Sequence, residues 1–259
     1  MGIINYCIVR FTQFSLWLRY RIRVQGLDEV LRKGREGILF LPNHPAVIDP
    51  IIALAQLSIP FRVRALADSN QIDRFVIRRW ARRFRVIPIQ NEQQNRTTTQ
   101  QIRQVLAQCV EVLRHGENLL LYPAGRAYRS SREQLGSNSA VERILRETPY
   151  IRIVLIRIRG LWGSSFSWAS GIEPDVTKSL LGGIKSLVLS GIFFAPRRRV
   201  TMEFYEPDDF PRQAGRKEIN IYLEKYYNRT VLPNLYVPYC LGQGFRPQQQ
   251  PEPSVPTSG

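Results

Sequence analysis

The sequence predicts an α/β fold with a mostly parallel central sheet flanked by helices. Three observations lead there. Short apolar runs at 37–41, 118–122 and 151–158 have the length of buried strands. Segments of helical period alternate with them, most clearly at 98–115, where Ile102, Val105, Leu106, Cys109, Val110 and Leu113 recur at three- and four-residue steps. A chain of 259 residues is long enough to give one such domain a full core.

From the start of the chain, Ile3 to Tyr20 is rich in Ile, Phe, Trp and Tyr, is broken by Arg10 and Gln13, and leads into Arg19, Arg21 and Arg23. An aromatic helix with basic residues at its far end suits the membrane interface, and the same composition suits a helix packed on the domain. The stretch falls short of the roughly 20 apolar residues a span needs. The lack of a basic leader and small-residue cleavage site argues against a secretory signal. Tyr6 stands where a myristoylation signal after Met1-Gly2 requires Ser or Thr. This gives an N-terminal amphipathic interface helix over 1–24.

The main domain is predicted over 25–243. Its strands fall at 37–41, 61–66, 85–89, 118–122, 151–158 and 199–205, and its helices at 50–58, 70–83, 98–115, 138–147 and 216–228. Pro50 suits the first position of a helix, and Gly116 suits a helix end. In 199–205, Val200, Met202 and Phe204 alternate with Thr201, Glu203 and Tyr205, the pattern of a half-covered sheet. Ser179 to Ala195 is a second apolar segment, followed by Pro196 and Arg197-Arg198-Arg199. It reads as a membrane-contacting insertion with arginines at the headgroups, and a buried helix is the plainer reading. Trp17, Phe193, Phe194, Arg197, Arg198 and Arg199 are its expected lipid-side residues together with the first helix. From Gly244 to Gly259, Gln, Pro and Ser dominate, which predicts a disordered tail.

Chemistry concentrates where strand 37–41 meets the Pro50 helix, at Asn43-His44-Pro45-Ala46-Val47-Ile48-Asp49. Side chains five apart on one helix point about 140° apart. On a tight turn the same two can meet, giving an imidazole base and the carboxylate that orients it. A capping role for Asp49 and a turn role for His44 fit the same spacing. The other histidine, His115, falls at the end of a helix next to Gly116, where a donor or cation is favourable. In open α/β sheets, sites gather at the carboxyl ends of strands. Both the His44 turn and the loop after 118–122 begin at such ends.

The run from Asn43 to Pro50 resembles the His-x4-Asp signature of the glycerolipid acyltransferase family, of lysophosphatidate type, with similarity over about residues 25 to 205. A second likeness is Tyr122-Pro123-Ala124-Gly125-Arg126, similar to that family's Pro-Glu-Gly-Thr-Arg motif. The stretch Gly160 to Trp168 resembles a branch of acyltransferase modules associated with acyl-CoA or acyl-carrier-protein ligases. Ala124 replaces the family's Glu, Arg126 its Thr, and Asn91 stands near an Arg of its second motif. The proline of its fourth motif is not evident in 151–156.

The resemblance implies an O-acyltransferase that needs no cofactor or metal. It would move a fatty acyl group from acyl-CoA or acyl-carrier protein to a lysophospholipid or glycerol-phosphate-like hydroxyl. His44 and Asp49 would be catalytic, and Asn43, Gly125, Arg126, Arg129 and Arg85 would bind substrate. The altered motif positions leave a non-catalytic, membrane-associated relative as the alternative.

Composition bears on partners. Lys and Arg total 37 against 21 Asp and Glu, a net charge of +16. That excess favours an anionic membrane, phosphorylated molecules or nucleic acid. With no nucleic-acid module in view, and apolar segments beside the basic ones, lipid fits better and nucleic acid is not expected. Cys7, Cys109 and Cys240 form neither a metal spacing nor a disulfide framework. A peripheral protein on the cytoplasmic face of a membrane follows.

Overall fold

The computed structural model describes residues 2–68, 87–89, 99–231, 233–238 and 246–253. Helix α1 (Ile3–Arg19) runs straight into strand β1 (Tyr20–Gln25), then come α2 (Leu27–Arg32), β2 (Ile38–Pro42), α3 (Asp49–Phe61), β3 (Arg64–Asp68) and β4 (Ile87–Ile89). The chain continues through α4 (Thr99–Arg114), β5 (Leu119–Leu120), α5 (Ala140–Glu147), β6 (Arg152–Arg159), α6 (Val176–Leu189), β7 (Arg198–Tyr205), α7 (Arg216–Tyr227) and the short strands β8 (Leu235–Tyr236) and β9 (Gln248–Gln249).

Seven strands form one sheet in the order β1-β7-β6-β2-β5-β3-β4. All neighbours are parallel except β6 and β7. Strand β2 shows why the sheet is buried on both sides. Its successive side chains point to opposite faces. Ile38 and Phe40 join a core with α1, α2 and α3, while Leu39 and Leu41 join a core with α4, α5 and α7. Each large side chain so buried contributes about 1.5–3 kcal/mol relative to exposure. The mostly parallel α/β sandwich expected from sequence is the architecture found.

Several expectations shift. Residues 20–24 do not extend the first helix, because Arg21, Arg23 and Gln25 face solvent while Tyr20, Ile22 and Val24 turn inward, and that period-two pattern pairs with β7. The strand expected from 61 begins at Arg64, since α3 keeps Pro60 in its last turn and stops where Arg62 adopts a left-handed conformation. Asp49 is the first residue of α3 and Ile48 precedes it as the cap. The basic triplet is divided by its strand. Arg197 and Arg199 are exposed, but Arg198 is 3 % exposed and donates to the carbonyls of Gly160, Trp162 and Leu235, so it cannot serve a headgroup. In the tail, Gln248–Gln249 pairs with Leu235–Tyr236, and the Glu252 carboxylate accepts from Trp162 Nε1 at 3.0 Å. Residues 246–253 are therefore structured, because backbone pairing and a buried indole N–H supply partners that composition does not reveal. The helix expected over 70–83, with Arg85, Asn91 and Cys240, lies outside the described residues.

Candidate active site

His44 leaves the carboxyl end of β2 on a turn that closes at the start of α3. The turn is held by Asp49, whose Oδ2 accepts the Ala46 N–H at 3.1 Å and lies 3.0 Å from His44 Nδ1. Pro50 follows at the first turn of the helix, where a missing N–H costs nothing. Asp49 is fully buried and the His44 side chain keeps 13 % exposure. With Nδ1 committed to the carboxylate, Nε2 is the nitrogen left for chemistry, and it meets no protein partner among the described residues.

Burial alone would lower the imidazole's pKa. The Asp49 charge and hydrogen bond, with the Glu133 charge behind them, more than offset it and hold the pKa above 6.5. The Tyr122 ring packs on His44 with centroids 4.5 Å apart. Its hydroxyl and Asp49 Oδ1 are both buried, and neither makes a hydrogen bond of normal geometry among the described residues. Burial and then Asp49 push that phenol well above its ordinary range.

The loop from 121 to 139, leaving the carboxyl end of β5, forms the other wall. Gly125 makes its sharp turn at φ +67°, with its N–H on the Tyr122 carbonyl at 3.0 Å. Arg126 and Arg129 are exposed on this loop and line a small cleft with Tyr128, Arg132 and Glu133. Arg126 has no acidic partner among the described residues, and Arg129 stacks on Trp168 at 4.9 Å. A larger cavity of about 480 Å³ between α4 and α5, lined by Arg103, Leu106 and Arg143 among others, includes no residue of the His44 turn.

Of the residues singled out from sequence, His44, Asp49, Gly125, Arg126 and Arg129 fall on these two adjoining loops. Asn43 does not offer itself to a substrate. It is 1 % exposed, its Oδ1 accepts Ile158 N–H at 2.6 Å, and its Nδ2 donates to the Ile158 carbonyl and the Tyr128 hydroxyl. Asn43 is a strut between β2, β6 and the loop. His115 is exposed at the end of α4, with Nδ1 2.8 Å from the Glu111 carbonyl, as expected for a helix terminus. Among the described residues, no cluster of His, Cys, Asp and Glu has the makings of a metal site. Tyr122, Tyr128, Arg132 and Glu133 were not singled out beforehand. Only Tyr122, next to Pro123 in the quoted motif, had a signal that could have found it.

The Acyltransferase family model matches residues 21–158, a span that includes the dyad turn and most of the sheet. The chain belongs to the acyltransferase family. No curated protein matches it significantly. This acyltransferase is similar in structure to the 1-acyl-sn-glycerophosphate (LPA) acyltransferase PlsC from Thermotoga maritima. The two are 15% identical with a TM-score of 0.57, over 88% of this chain and 78% of that one, and at that identity the likeness speaks for fold.

Proposed function

We propose that this acyltransferase moves a fatty acyl group from a thioester, acyl-CoA or acyl-carrier protein, to a hydroxyl of a lysophospholipid or glycerol-phosphate-like acceptor at a membrane surface. The observation that carries the proposal is the His44–Asp49 pair at 3.0 Å, set at the strand ends against the loop that bears Arg126 and Arg129. His44 Nε2 takes the proton of the acceptor hydroxyl as its oxygen forms a bond to the thioester carbonyl carbon. The C–S bond then breaks, and the leaving thiolate takes the proton back from the imidazolium, so no covalent enzyme intermediate is required. Asp49 holds Nδ1–H and stabilises the imidazolium between the two steps.

Arg126 and Arg129 supply the charge for an acceptor phosphate. Losing a charge-assisted hydrogen bond costs about 1.5–3 kcal/mol, so Arg126→Ala and Arg129→Ala should each raise the acceptor KM about tenfold or more. The donor KM should stay unchanged in the same steady-state assay, and equal losses for donor and acceptor would remove the assignment. Labelled thioester offered with a panel of lysolipids of different headgroup tests the reaction itself. Transfer to at least one phosphate-bearing lysolipid is expected, and no transfer to any of them would refute it.

The membrane reading rests on exposed apolar side chains of two helices and the segment after the second. Helix α6 has no buried residue, and Leu181, Val188, Leu189, Phe193 and Phe194 stand exposed after it and along it. Helix α1 exposes Ile3, Phe11, Phe14 and Trp17. Helix α1 meets the segment that follows α6, where the Arg197 guanidinium covers the Trp17 ring at 4.1 Å and Arg19 donates to the Pro196 carbonyl. Each is also tied to the body of the domain. Gln13 Nε2 donates to the Ala55 carbonyl on α3 at 2.7 Å, and Ser179 Oγ donates to the Ser165 carbonyl at 2.8 Å, next to Phe166, whose carbonyl accepts the Val47 N–H.

The contact proposed is peripheral and on the cytoplasmic face. Among the described residues no helix is long and apolar enough to cross a membrane. Burying one Phe contributes about 1.5–3 kcal/mol. The double variant Phe193→Ser, Phe194→Ser should therefore lower partition into vesicles of anionic phospholipid at least about tenfold in flotation. Unchanged partition would take the membrane role from this segment.

A further inference from the structure

One loop grips the peptide of His44 from both sides. The His44 N–H donates to Glu133 Oε2 at 2.7 Å, and the His44 carbonyl accepts the Tyr128 N–H at 2.9 Å. Glu133 is only 3 % exposed and is itself fixed to the end of α7. Its N–H donates to Asn228 Oδ1 and its carbonyl accepts from Asn228 Nδ2, each at 2.9 Å. A backbone N–H can be satisfied by any neutral acceptor. A buried carboxylate costs far more to place and needs positive charge nearby.

The groups facing Glu133 come from several elements. His44 and Asp49 face it from the catalytic turn and α3, Glu224 and Tyr227 from α7, and Tyr122 and Tyr128 from its own loop. Arg126, Arg129 and Arg132 line the same cleft. The imidazole is the group among these whose charge changes during acyl transfer, and the Glu133 contact is made to that residue's own backbone.

We infer that Glu133 is a positioning residue for His44, its side-chain oxygen fixing the turn that carries the imidazole and tying that turn to the end of α7. The inference rests on His44 acting as the base. Burial pushes the Glu133 carboxyl up to about 8, while the His44 N–H and charge pull it back. Near neutral pH the group is therefore largely protonated, and its Oε2 still accepts the His44 N–H. Asp49 and Glu133 thus have separate duties. Asp49 orients the ring through Nδ1, and Glu133 holds the peptide and joins it to the loop that bears the arginines.

Glu133→Gln keeps the shape and an acceptor oxygen, whereas Glu133→Ala leaves the His44 N–H without its acceptor. Misplacement of a reacting group by an ångström can cost about 10²-fold, so kcat should fall about 10²-fold for Glu133→Ala, which frees the turn, while Glu133→Gln should restore most of it. The donor KM should hold in both.

Thermal unfolding is measured on the same protein. A Glu133→Ala enzyme that melts lower but keeps wild-type kcat marks a purely structural role and overturns the inference, as does a Glu133→Gln kcat no better than that of Glu133→Ala. His44→Ala is assayed alongside. If it is inactive while Glu133→Ala matches wild type, the Glu133 assignment alone fails. If His44→Ala is active, the proposed function fails and this inference with it.

Discussion

His44→Ala should lower kcat about 10²–10⁴-fold, the range a positioned base supplies, with little change in either KM. The expectation follows from where the ring sits. Nδ1 is held by Asp49, the face of the ring is covered by Tyr122, and Nε2 alone has no protein partner among the described residues. No other imidazole can substitute, since His115, the chain's second histidine, is exposed at the far end of α4.

The same geometry sets the pH dependence. The base works only when neutral, and Asp49 and Glu133 hold its pKa above 6.5 despite burial. Activity should therefore fall as pH drops through a midpoint above 6.5, and His44→Ala should lose that limb altogether. The measurement is kcat and kcat/KM against pH with a saturating thioester donor. A His44→Ala enzyme with wild-type turnover, or a wild-type acid limb well below 6.5, would remove the imidazole from the reaction.

What the sequence made legible follows the range of the interactions. The dyad could be read because everything that builds it is local. Strand β2 ends at Pro42, Pro50 lies within the first turn of α3, and the intervening turn leaves little choice but to bring His44 and Asp49 together. The capping role considered for Asp49 gives way, since its carboxylate turns back to Ala46 N–H and the imidazole rather than forward to the helix.

Glu133 could not be read in that way. It stands in a polar stretch, Ser130-Ser131-Arg132-Glu133-Gln134, that looks solvated, and its two anchors, His44 and Asn228, are distant in sequence. The cluster at 197–199 was misleading for a different reason. Three consecutive basic residues look like one patch, but a strand sends neighbours to opposite faces, so Arg198 is drawn inside to serve three carbonyls. Strand β1 was hidden because the aromatic run of α1 continues through Tyr20 without a break in composition. Only its alternating arginines mark the change of period.

Asp49→Asn should be nearly as damaging as loss of the histidine, with kcat down about 10²–10⁴-fold, although the replaced atoms differ by little more than one proton and one charge. Oδ2 serves both the Ala46 N–H and the imidazole Nδ1, so an amide oxygen in its place should keep the turn and the ring's orientation. A neutral amide accepts the Nδ1–H more weakly than a carboxylate does, so the imidazole becomes the poorer base. The imidazolium also loses the nearest of its carboxylates, leaving burial opposed only by Glu133 and the backbone contact at Ala46. Whatever activity remains should show its acid limb at lower pH than wild type. Asp49→Ala should lose activity similarly but with some fall in melting temperature, because the Ala46 N–H is left without its acceptor. If Asp49→Asn keeps wild-type kcat with an unmoved limb, the carboxylate serves the turn and not the ring, and the chemistry must be sought in another pair of groups.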